Sequence, residues 1–109
     1  MTFQKTWAKI IGIVLLLVGV VGFFMGDQIL GFGINTLHNV VHLLTGAIFA
    51  WAGFGQGSAK SVNRWLGIVY IVVAVLGFLG MLSFLATNGA DNWLHLVIGV
   101  VSLLVSMGA

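Results

Sequence analysis

Four apolar stretches separated by short polar breaks account for most of this chain. No charged residue falls within Ile10 to Gly26, Leu37 to Phe54, Trp65 to Leu85 or Trp93 to Met107. Each stretch is apolar throughout rather than on one stripe, the pattern of a helix whose surroundings are lipid. With Trp7 at its edge, the first approaches the roughly 20 residues needed to cross a hydrocarbon layer of about 30 Å; the fourth is shorter. Lys5 and Lys9 ahead of an apolar run resemble a secretory signal. The run continues without a small-residue cleavage site, so a retained helix is expected.

The stretches are related to one another. Asn39-x-x-His42-Leu43-x-x-Gly46 recurs as Asn92-x-x-His95-Leu96-x-x-Gly99. Gly12-Ile13-Val14 with Gly22-Phe23 recurs as Gly67-Ile68-Val69 with Gly77-Phe78. The glycine elements align at an offset of about 55 residues and the histidine elements at about 53, which a slightly longer first outer loop explains. The expected fold is therefore all-α: an integral membrane four-helix bundle built from two tandem, like-oriented transmembrane hairpin repeats, about 7–55 and 62–109, in a single transmembrane domain spanning 1–109. A unit of two spans keeps its orientation when copied, so the halves are related by a pseudo-twofold along the membrane normal, and equivalent residues sit at equal depth.

Composition agrees. Hydrophobic residues make up 61% of the 109 and charged residues 6%, with a mean hydropathy of +1.20, whereas soluble domains carry roughly a quarter charged residues. A net charge of +2 from four basic and two acidic residues provides no clustered basic patch for nucleic acid. Cysteine is absent, which removes disulfides and thiolate chemistry. Lys5, Lys9, Lys60 and Arg64 fall on one side of the spans, and the positive-inside rule assigns that side to the cytoplasm. Asp27, Asp91 and both Asn-x-x-His elements then face outward and both termini inward. Trp7, Trp51 and Trp65 are expected at the inner interface and Trp93 at the outer.

Small residues at three- or four-residue spacing (Gly19-Gly22-Gly26, Gly46-Ala50-Gly53, Ala74-Gly77, Gly99-Ser102-Ser106) predict close helix packing, and self-association in the membrane is a further expectation. Gly53-Phe54-Gly55-Gln56-Gly57-Ser58 lacks the Gly-Lys-Ser/Thr ending of a phosphate loop and reads as a flexible connector.

Chemistry has one candidate location. His38 and His42 share a helix face, and their counterparts at the repeat offset are Asp91 and His95. Were the second and fourth helices diagonal in the bundle, His38, His42, Asp91 and His95 would point inward at one depth, a donor set for zinc or another transition metal; an axial His or a pair could instead hold haem. Beside this stands a structural reading, the preferred one from sequence, in which Asn39 or Asp91 caps its helix, Asn35 and Thr36 are further cap candidates, and Asn35, Asn39 and Asn92 form a polar network that holds the bundle. Nucleophilic catalysis lacks a hydroxyl with an activating base, and paired carboxylates are ruled out by the acid count. The expected class is non-enzymatic.

Phe32-Gly33-Ile34-Asn35-x-Leu37-His38-Asn39-x-Val41-His42-Leu43-Leu44-Thr45-Gly46, with Gly67-x-Val69-Tyr70 and Asn92-x-Leu94-His95-Leu96, resembles the bacterial family known as domain of unknown function 4383 over nearly the whole chain. The resemblance implies a small four-helix protein of the bacterial inner membrane with no established activity. The function expected is a structural or interaction module whose outer Asn/His cluster holds the bundle or a partner, in contact with the lipid bilayer and with a second copy or another membrane protein; the alternative is a His-ligated metal or haem protein.

Overall fold

Backbone groups placed in lipid have no water to bond with and must be satisfied within their own segment, so the apolar stretches fold as helices. The computed structural model describes residues 3–55 and 58–108. These form α1 (Phe3–Gly22), α2 (Thr36–Phe54), α3 (Ala59–Phe78) and α4 (Gly89–Ser106), each long and apolar enough to cross a membrane. Gln56 and Gly57 of the expected connector lie outside the described residues, as does Ala109.

The expected span of α2 matches within a residue at its start, but α1 and α3 begin well before Ile10 and Trp65 and stop before Gly26 and Leu85. Charge marks where hydrocarbon ends, not where helical hydrogen bonding ends. Lys5 and Lys60 lie inside their helices and donate to the carbonyls of Gly55 (3.0 Å) and Gly108 (2.8 Å). Cations thereby meet the negative ends of α2 and α4. Lys9 adds an ammonium 5.0 Å from the centre of the Phe54 ring.

Glycine sets the pairing. A Cβ on Gly12 would stand 2.6 Å from the Ala50 nitrogen, and one on Gly46 2.9 Å from the Leu16 nitrogen. In the other hairpin, a Cβ on Gly67 would stand 2.9 Å from the Leu103 nitrogen and one on Gly99 2.7 Å from that of Ile71. Backbones touch at these four positions, so α1 packs intimately on α2 and α3 on α4, as small residues permit in lipid. Of the glycines expected to promote self-association, Gly19, Gly22, Gly46, Gly53, Gly77 and Gly99 are each in close contact within the protein. Gly26 is not helical; its φ of +75° serves a turn.

Between the hairpins contact is sparser. α1 touches α3 and α4, α2 touches α3, and the backbones of α2 and α4, diagonal in the bundle, stay apart. At the basic end polar latches join the halves. Asn63, fully buried, donates through Nδ2 to the Gln4 carbonyl and to Gln4 Oε1, while Gln4 Nε2 donates to the Val105 carbonyl (2.5 Å). Trp7 adds to this latch: its Nε1 donates to Ser102 Oγ at 2.8 Å. Trp51, Trp65 and Trp93 are exposed.

At the opposite end the connections fold over the bundle. Gln28–Ile29 (β1) and Phe32–Gly33 (β2) pair antiparallel about a two-residue turn in which Leu30 and Gly31 both have positive φ, 51° and 86°, the conformation that tight hairpins require. A short 3-10 turn, Ser83–Leu85, covers the other half.

Candidate functional site

Two asparagines start the helices that carry the histidines. Asn35 Oδ1 accepts from the His38 backbone N–H (2.8 Å) and Asn88 Oδ1 from that of Asp91 (3.0 Å), satisfying donors that a helix start leaves open. Their amide nitrogens cross the bundle. Asn35 Nδ2 donates to the Phe84 carbonyl and Asn88 Nδ2 to that of Gly31, so each hairpin's cap holds the other hairpin's connection. Asp91 completes a capping box, its Oδ2 accepting from Asn88 N–H (2.8 Å) and from Gly33 N–H (2.9 Å). The caps are thus Asn35 and Asn88, one turn earlier than Asn39 and at the residue three before Asp91.

With the starts fixed, His38, His42 and His95 converge from the diagonal pair α2 and α4 into the bundle, all buried. Ring centroids are 4.3 Å apart for His38 and His42, 5.6 Å for His38 and His95, and 6.2 Å for His42 and His95. One nitrogen from each ring lies within 4.8 Å of the other two. Both nitrogens of His38 and the Nδ1 atoms of His42 and His95 are buried without a hydrogen-bond partner among the described residues. The Gly33 and Leu85 carbonyls approach the His38 ring without reaching hydrogen-bond geometry. A neutral imidazole carries one donor and one acceptor, so this cluster leaves both kinds of group unpaired.

Asn39 and Asn92 do something different. Their carboxamides lie flat against the glycine faces of the preceding helices, where a Cβ on Gly22 or Gly77 would collide with Asn39 Oδ1 or Asn92 Oδ1. Neither oxygen has a hydrogen-bond partner among the described residues. These two side chains fill the space between paired helices and stay out of the imidazole cluster.

Residues not anticipated from the sequence complete the site. The Tyr70 ring centre is 5.6 Å from that of His95, and its hydroxyl is 2.7 Å from Thr45 Oγ1, which also lies 2.9 Å from the Val41 carbonyl. Thr45 has a single hydroxyl proton; spending it on Val41 makes Tyr70 the donor to Thr45. Asn88 stands 53 residues after Asn35, so extending the repeat by one turn finds it. Tyr70 is the only tyrosine, but an aromatic at that position in an apolar run reads equally well as packing.

Crevices flank the cluster on opposite sides of the bundle, and His42 and His95 border both. Between α2 and α3, where Tyr70 and Thr45 sit, the space is about 40 Å³. Between α1 and α4 a cavity of about 210 Å³ runs beneath the β1–β2 hairpin, with Leu15 and Ile98 in its wall and Asp91 at its polar end.

No curated protein and no solved structure matches the chain. A family model does, over residues 5–108. With the four helices and nearly its full length inside that match, the chain belongs to the family described as domain of unknown function (DUF4383).

Proposed function

We propose that this protein holds a first-row divalent transition-metal ion, zinc or one of similar preference, inside the membrane through His38, His42 and His95. The observation that carries the reading is the meeting of three buried imidazoles whose ligand atoms lie within 4.8 Å of one another while four of their nitrogens bond to nothing among the described residues. Three nitrogens around a tetrahedral zinc, each about 2.0–2.1 Å from it, stand about 3.3–3.4 Å apart. Closing the cluster onto an ion therefore takes less than about 1.5 Å of movement at the ring tips, within reach of small torsional changes. Imidazole donors suit zinc, copper, iron and nickel.

Asp91 stands at the edge of this arrangement. Two backbone N–H groups already bond its Oδ2, so its first duty is to fix the start of α4, and a fourth coordination position is left to a donor from outside. Haem fits less well. The crevices beside the imidazoles hold about 40 and 210 Å³, the first with room for an ion or a few waters and the second below what encloses a drug-sized ligand, so neither takes a macrocycle. A purely structural role for the histidines is weakened by their missing partners. The structural role passes to Asn35, Asn88, Asn39 and Asn92.

Binding rather than catalysis is the role proposed, because the buried hydroxyls of Thr45, Ser102 and Ser106 are each tied to a neighbour. The same reading takes the halves as like-oriented repeats of one hairpin, the basic ends in the cytoplasm and the imidazoles at the outer side of a bacterial inner membrane. Supporting it are matched pairs at the repeat offsets: Gly12 with Gly67, Lys5 to Gly55 with Lys60 to Gly108, and Asn35 to Phe84 with Asn88 to Gly31.

The test is metal content after purification in mild detergent. One equivalent of metal in the wild type, lost in both His42→Ala and His95→Ala with helical content unchanged, is the expected result. Wild-type protein that neither retains nor takes up a stoichiometric ion after incubation with zinc, copper or nickel overturns the proposal.

A further inference from the structure

The cavities flanking the imidazoles stand at equivalent places under the proposed repeat; their walls differ at several positions, most in bulk at Tyr70 with Thr45 against Leu15 with Ile98, and the β1–β2 hairpin borders only the larger. Val69, Val73 and Val41 border the smaller one, and Val14, Val18 and Leu94, at the equivalent positions, border the larger. Where the α2–α3 side is closed by the Tyr70 to Thr45 hydrogen bond, the α1–α4 side has Leu15 and Ile98, which leave the space open. A ring is missing from one half, and a cavity of about 210 Å³ takes its place.

Its chemistry is graded. Val14 and Leu94 at the wall are exposed on the outer surface of the helices, where lipid surrounds the bundle. At the inner end stand His42, His95 and Asp91, each at least nine-tenths buried. No Lys or Arg borders it and a carboxylate does, so an anionic head group such as a fatty-acid carboxylate or a phosphate meets repulsion without compensation. The volume falls below the roughly 300–1,000 Å³ of sites that enclose drug-sized ligands. It suits a head group whose tail stays in the bilayer.

From these observations we infer that the cleft between α1 and α4 is an intramembrane binding site for the head group of a neutral, lipid-dissolved carbonyl compound of the quinone class, entering sideways from the bilayer with its oxygen toward His42 and His95. The ring occupies the space that Tyr70 fills on the opposite side, and an imidazole N–H supplies the hydrogen bond that a carbonyl oxygen accepts. The site stands on cavity shape and side-chain chemistry, and needs no metal ion.

The experiment uses the full chain in lipid nanodiscs with a photoreactive azido derivative of 2-methyl-1,4-naphthoquinone, with adducts mapped by mass spectrometry. Labelling on α1 and α4 around Val14, Val18 and Leu94, suppressed by excess unlabelled naphthoquinone and not by palmitate, is expected. Leu15→Tyr combined with Ile98→Thr copies the packing of the closed side and reduces this labelling to the background of bulk lipid. Should that variant not fold, the reciprocal pair Tyr70→Leu with Thr45→Ile opens the second crevice and adds competable adducts near Val41 and Val69. Adducts that naphthoquinone does not suppress, suppression by palmitate as well, or a pattern indifferent to either folded variant overturn the inference. Runs in EDTA and in zinc keep this outcome separate from the metal proposal: labelling that survives EDTA stands even if no ion binds, and stoichiometric metal without competable labelling sinks the quinone site alone.

Discussion

Replacing His42 by Leu reverses the stability order of wild type and variant according to whether metal is present. His42 is buried, its Nδ1 has no partner among the described residues, and it borders both crevices. Leaving a buried polar nitrogen unpaired costs about 1–3 kcal/mol, and exchanging it for an apolar group of similar size removes that cost. In EDTA, His42→Leu is therefore expected to be more stable than wild type by about 1–3 kcal/mol. With zinc at about a hundred times its dissociation constant, the wild type gains about 2.7 kcal/mol and a variant that has lost the site gains nothing. The wild type then overtakes the variant over most of that range and comes within about 0.3 kcal/mol of it at the top.

Equilibrium unfolding in mild detergent, driven by added denaturing detergent and followed by helical circular dichroism, measures both arms on the same preparations. Two results refute the reasoning. A variant that loses more than about 1 kcal/mol in EDTA shows that the imidazole was making a net favourable hydrogen bond in the apo protein. A zinc-dependent gain of the same size in wild type and variant shows that the ion binds elsewhere. His42 is the informative choice because the His38 ring is approached by two backbone carbonyls, and a loss there has more than one cause.

Gly12→Ala and Gly67→Ala each place a methyl group against backbone that cannot move aside, 2.6 and 2.9 Å from the facing nitrogens, and each is expected to destabilise the fold by about 1–3 kcal/mol; Gly89→Ala, with nothing within 4 Å, is the neutral control, and equal stability of all three in detergent unfolding contradicts the packing described. The chain has no cysteine, so single replacements report topology without background. Asp27→Cys is expected to react with a membrane-impermeant maleimide in intact cells and Ser61→Cys only after lysis; the opposite pattern reverses the proposed orientation, and reaction of both in intact cells contradicts the hairpins.

Much of this architecture is legible in the sequence because lipid simplifies the reading. Uncharged runs of sufficient length leave the backbone little choice but helix, and the Asn-x-x-His repetition aligns the halves before any contact is known. Helix ends are less legible. Lys5 and Lys60 mark the polar boundary while continuing the helix, because their side chains reach back to carbonyls at the ends of α2 and α4. The partner of Trp7 is not legible either: an indole N–H needs an acceptor, and only the fold brings Ser102 across the bundle to supply one. The sequence places His38, His42 and His95 on facing surfaces only if α2 and α4 are diagonal, and that arrangement depends on glycine contacts within each hairpin. Asn39 and Asn92 look like partners for the histidines at the level of the motif. They turn instead toward Gly22 and Gly77.

If the halves are repeats of one hairpin, as proposed, the positions that depart from the repeat are where function is to be sought. Shared features such as the glycine seams, the crossed caps and the lysine contacts hold two hairpins together, and a bundle needs them whatever it binds. Replacing one member of a matched pair alters packing on one side only, and so separates the sides chemically. His38 stands where the second half has Asp91, making three imidazoles and one carboxylate where strict duplication gives either four imidazoles or two imidazoles and two carboxylates. Tyr70 and Thr45 close one side while Leu15 and Ile98 open the other. The space beside the polar cluster is larger on the α1–α4 side, about 210 against 40 Å³. Selection for bundle stability alone gives no reason to fill one crevice with a hydrogen-bonded ring and leave its counterpart open, because an unfilled cavity in a packed interior weakens the fold.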